Sequence, residues 1–67
     1  MKTIDDVKKA DVVKRIVARC IASKAWRSQC EDEALGYAAK EERKIVSAYV
    51  REQYDAAGAG FSGRWQS

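Results

Sequence analysis

Residues 28–50 read Ser28-Gln29-Cys30-Glu31-Asp32-Glu33-Ala34-Leu35-Gly36-Tyr37-Ala38-Ala39-Lys40-Glu41-Glu42-Arg43-Lys44-Ile45-Val46-Ser47-Ala48-Tyr49-Val50, and their reading decides the fold. The stretch opens on a capping-box pattern, Ser28 with Glu31 three residues on, and Glu31, Asp32 and Glu33 fill the first turn with negative charge. Apolar doublets follow at Ala34/Leu35, Ala38/Ala39, Ile45/Val46 and Tyr49/Val50. That spacing keeps one side of a helix apolar. Gly58 is a natural stop, because glycine takes the left-handed conformation without steric penalty. The pattern predicts one helix over 29–57. Gly36 is its weak point, and a turn between Gly36 and Glu42 gives three helices instead of two.

Glu42 is the residue that fits least well. In a continuous helix it falls in the middle of the apolar face, between Leu35/Ala38 and Ile45/Tyr49, with Glu31 and Gln53 on the same face nearer the ends. One reading pairs it with Lys9, Lys14 or a partner subunit, where it fixes register at some cost in stability. A second has a helix break before it free it to solvent. No second acid, histidine or metal set accompanies it, so a catalytic role is the weakest reading.

Upstream, Val12/Val13, Ile16/Val17 and Cys20/Ile21 repeat the doublet spacing and predict a first helix over 4–26. Thr3 is its expected N-cap, with Asp6 reaching back, and Lys24 and Arg27 suit its C-terminal end. A short connection around Ser28 makes the two helices antiparallel. Charge agrees with that pairing, since residues 1–29 carry +5 and residues 30–67 carry −2. The fold expected is all-α: an antiparallel helical hairpin over 1–57, with a Gly-rich aromatic tail over 58–67.

The chain has 67 residues, and 11 of its hydrophobic residues are Ala. A lone hairpin of this size has a thin core and leaves part of each apolar stripe wet. The expected remedy is a homodimeric four-helix bundle, with a three-helix monomer as the alternative. Ile16, Val17, Leu35, Glu42, Ile45 and Tyr49 are the expected dimer or register residues.

Composition narrows the chemistry. There is no His and no Pro, so most acid–base, nucleophilic and metal-ligating arrangements are missing, and no cofactor, metal or catalytic residue is expected. Cys20 and Cys30 are too few for a disulfide framework. They read as reduced, half-buried thiols of a cytoplasmic protein, with a redox-sensitive Cys20–Cys30 bridge as the sharper reading. No apolar run approaches the length of a membrane helix, and the first residues lack a secretory signal pattern.

Two surfaces are candidates for binding. Phe61, Arg64 and Trp65 place interface-favouring residue types in the tail, which serves either as an anchor for a protein partner or as a strap across its own hairpin. Tyr37 and Tyr54 lie outside the central apolar face and are candidates for a second partner-binding interface. On the first helix, Lys8, Arg15, Arg19 and Trp26 form a basic stripe ending in an aromatic, suited to phosphates and a stacked base. No family motif is present. The expected function is a small non-catalytic helical protein that binds another protein as adaptor, regulator or inhibitor. The alternative is a nucleic-acid-binding accessory or regulatory protein using the basic stripe.

Overall fold

The computed structural model describes residues 3–58, so the tail aromatics Phe61, Arg64 and Trp65 lie outside the described residues. The chain is all-helical. A 3-10 turn at Ile4–Asp6 leads into α1 (Ala10–Ala22), α2 (Arg27–Leu35), a second 3-10 turn at Lys40–Glu42 and α3 (Arg43–Ala56). Among the described residues there is no strand, and no helix is long and apolar enough to cross a membrane.

The expected first helix of 4–26 is shorter at both ends. Thr3 and Asp6 do cap, with the Asp6 carboxylate accepting from the Thr3 amide at 2.7 Å. What they cap is a single 3-10 turn, because Val7 is extended (φ −77°, ψ 136°) and drops its side chain into the core. At the other end Lys24 is left-handed at φ 59°. The Ala25 amide bonds back to the Cys20 carbonyl at 2.8 Å and the Lys24 amide to Ile21 at 3.1 Å, the paired closure of a Schellman motif. A lysine held at positive φ bears steric strain that glycine would not.

The helix expected over 29–57 is two helices. The chain leaves α2 through three tight i to i−3 bonds, from Gly36 to Glu33, Tyr37 to Ala34 and Ala38 to Leu35, and turns extended at Ala39 (φ −70°, ψ 163°). The Ser28 capping box is not used. α2 starts two residues earlier with Trp26 at the N-cap, and the Glu31 carboxylate instead takes the Ser47 hydroxyl and lies 3.7 Å from Arg27.

Glu42 explains why the break holds. Breaking a helix orphans backbone donors, and a nearby carboxylate is their best acceptor. One Glu42 oxygen accepts from the Ala39 amide at 3.0 Å, and the other accepts from the Lys8 amide, 34 residues upstream, at 3.1 Å. Glu42 is therefore neither solvated nor paired with Lys9 or Lys14 as expected. At 7 % exposure it is the buried clasp between the N-terminal segment and the start of α3. Lys14 instead bonds Asp5 at 2.7 Å.

The break also resets the phase of α3. Its core line is Val46, Val50 and Tyr54, all fully buried, whereas Ile45 and Tyr49 are only half-buried. These pack with Val7, Val13, Ile16, Val17 and Cys20 from the first part of the chain and Cys30 and Ala34 from α2. α3 packs mainly on α2 and less on α1, while the first 3-10 turn touches both α1 and α3. Gly58, at φ 65°, takes the left-handed position just past α3 that its residue type suggests.

Candidate functional site

The expected sites are redistributed by the third helix. Tyr54, expected at an outer interface, is fully buried, and its hydroxyl donates to the Ala25 carbonyl at 2.9 Å. Tyr37 does face outward, 44 % exposed, with the Lys9 ammonium 5.8 Å above its ring. Of the expected dimer or register residues, Ile16, Val17 and Glu42 are buried within the single chain. Leu35, Ile45 and Tyr49 are half-buried at its edge.

The basic stripe does not survive as one line. Lys8 precedes α1, and its backbone is held by Glu42. Arg15 and Arg19 are exposed on α1 beside a groove with Val12, Ile16, Glu33 and Tyr37, and Arg19 is already paired with Glu33 at 2.7 Å. Trp26 is the N-cap residue of α2, 40 % exposed. Regular spacing on a helical wheel assumed that the helix began before Lys8, which it does not.

An open apolar groove lies on the opposite side of α3 from its core line. Thr3 and Ile4 of the first turn, with Lys44, Ile45, Ala48, Tyr49 and Glu52 of α3, line a groove of about 510 Å³. Apolar Ile4, Ile45 and Tyr49 are half-buried in it, Ala48 is exposed, and Lys44 and Glu52 stand at either end, four residues to each side of Ala48. Neither charged residue pairs with another described residue. The sequence carried a trace of this face, since Ile45 and Tyr49 were legible as apolar. What was not legible is that Val46, Val50 and Tyr54 take the core position in their place.

The buried chemistry is structural. Cys20 and Cys30 are free and buried beside one another and beside Tyr54. Burial first, then the neighbouring Cys20, pushes the Cys30 thiol from its ordinary 9.0 up to about 12. Burial and the adjacent Cys30 likewise raise the Tyr54 hydroxyl above its usual range. A thiol held protonated is a poor nucleophile. Iodoacetamide at neutral pH is therefore expected to spare Cys30 in the folded protein and label it in urea; equal labelling in both would contradict this burial. The folded state keeps the thiol proton to higher pH than the unfolded chain, so unfolding releases a proton and stability falls as pH climbs from about 9 towards 12.

Among the described residues, no group of three or more Cys, Asp or Glu side chains could hold a metal ion. Set against known protein families, curated proteins and solved structures, the chain matches none.

Proposed function

We propose that this chain is a small non-catalytic helical protein that acts by docking on another protein, as adaptor, regulator or inhibitor, and that it does so as a homodimer. The observation that carries the self-association is the outer face of α3, where Ile4, Ile45, Ala48 and Tyr49 line a groove while the opposite face is dry. The side chains with chemical capability are otherwise occupied. Glu42 is spent on backbone donors, Tyr54 on a carbonyl, and the thiols are buried. Two unbridged cysteines suit a reducing compartment, in keeping with a cytoplasmic protein.

The order Lys44, Ala48, Glu52 is self-complementary. If two copies of α3 cross antiparallel about a two-fold axis at Ala48, Lys44 of each copy meets Glu52 of the other. Small Ala48 lets the helices approach, and Ile45 and Tyr49 cover the seam. The seam is then a single helix pair, since the single chain has already buried Ile16 and Val17, which the four-helix arrangement would have used.

Sedimentation equilibrium of the full chain at several concentrations tests this. Lys44→Glu and Glu52→Lys are each expected to weaken association by roughly tenfold or more, because each places like charges opposite one another twice. The double swap is expected to restore it. A monomer at every concentration, or a dimer indifferent to all three variants, would contradict the reading.

A further inference from the structure

The Glu42 clasp has a second effect, on the surface. By holding the Lys8 amide against the start of α3, it brings the N-terminal pair Lys8 and Lys9 beside the 37–43 segment, where Lys40 and Arg43 are exposed. The position of the Lys9 ammonium over the Tyr37 ring is an independent link between the same two segments. Four cations from distant parts of the sequence thus share one end of the molecule. Lys8, Lys9, Lys40 and Arg43 form no ion pair with any described residue, unlike Lys14, Arg19 and Arg27, which do. Three exposed carboxylates lie close to them in the sequence, Asp6 two residues before Lys8, Asp11 two residues after Lys9 and Glu41 beside Lys40; Glu42 is turned inward.

From this convergence we infer that the end of the molecule formed by Lys8, Lys9, Tyr37, Lys40 and Arg43 is a binding site for the phosphate backbone of double-stranded DNA. The inference goes beyond the protein-docking reading and does not rest on it, since it uses none of the groove residues. Exposed lysines and an arginine without ion-pair partners among the described residues match a line of phosphates. An exposed tyrosine hydroxyl adds a neutral phosphate donor of the kind that fixes register on a duplex. Asp6, Asp11 and Glu41 lower the affinity but also oppose binding of the patch to the chain's own acidic surface. Contacts to phosphates carry no sequence information, so the binding is expected to be independent of base sequence.

The test is fluorescence anisotropy of a labelled mixed-sequence DNA duplex titrated with the full chain. With four phosphate contacts, affinity is expected to fall roughly 100-fold between about 50 and 200 mM salt. Lys40→Ala and Arg43→Ala are each expected to weaken binding and to flatten the salt dependence by about one phosphate contact. Both side chains are exposed, and circular dichroism checks that the fold is unchanged. Lys24→Gly removes a cation at the far end of α1 in a position that suits glycine, and is expected to leave binding unchanged. The inference is overturned by absence of binding at the lower salt, by a loss in Lys24→Gly equal to that in Arg43→Ala, or by polyglutamate competing as well as unlabelled duplex.

Discussion

Glu42→Ala is expected to destabilise the folded chain by about 2–4 kcal/mol, a large share of what a domain of this size possesses. The carboxylate is 7 % exposed and accepts the Ala39 and Lys8 amides at 3.0 and 3.1 Å. Hydrogen bonds to a charged acceptor contribute more than neutral ones, and deleting the acceptor leaves both donors part-buried and unmade. Glu42→Gln separates charge from shape. An amide retains one acceptor oxygen, so it can serve one of the two amides, and its loss is expected to fall between wild type and Ala. Urea unfolding measures both, with a lower midpoint at unchanged slope. If Glu42→Ala instead left stability within about 0.5 kcal/mol of wild type and abolished self-association, the residue would be a register device between subunits rather than a clasp within one.

Tyr54→Ala is expected to cost more, about 3–5 kcal/mol, enough to leave the chain largely unfolded at room temperature. Tyr54 is the largest fully buried side chain and closes the end of the core where α1 ends and α2 begins, next to Cys20 and Cys30. Removing the ring opens a cavity in a domain with few large apolar residues to collapse into it. Tyr54→Phe keeps the ring and removes the hydroxyl that donates to the Ala25 carbonyl and lies beside Cys30, a change expected to cost about 1 kcal/mol. A native circular dichroism spectrum and cooperative melting in Tyr54→Ala would show that the core does not depend on this residue.

The contrast between Tyr54 and Tyr49 shows what was legible in the sequence. Doublets at Val12/Val13, Ile16/Val17 and Cys20/Ile21 report α1 correctly, because α1 is unbroken and Val13, Ile16, Val17 and Cys20 are all buried. Thr3 with Asp6, and Gly58, read correctly because capping is local chemistry carried by a few neighbouring residues. The second half misled for a physical reason. Ala, Lys and Glu around residues 38–42 all favour helix, and the doublets on either side of the break fall close to one helical phase. Periodicity therefore cannot see the turn. Once the helix restarts at Arg43, its inner line shifts by one residue, from Ile45 and Tyr49 to Val46, Val50 and Tyr54.

Two signals pointed the other way. Gly36 interrupts the helix formers, and Glu42 is a charge no continuous apolar face should carry. That mismatch marked the site of the break, although the sequence offered no means of finding the donor. The Lys8 amide lies 34 residues away, and only the folded chain brings it into reach. The gathering of Lys8 and Lys9 with Lys40 and Arg43 was hidden for the same reason. A stripe drawn on one helix could include Lys8, but it assigned that residue to Arg15 and Arg19 rather than to the start of α3.

The clasp at Glu42 underlies both the three-helix core and the cationic end, and amide hydrogen exchange by NMR tests it most directly. In the wild-type chain the Lys8 and Ala39 amides are expected to be protected although neither lies within a helix, and in Glu42→Ala both are expected to lose that protection together while α1 retains its own. Fast exchange at Lys8 in the wild type, or protection running unbroken through residues 36–42 as in one continuous helix, would contradict it.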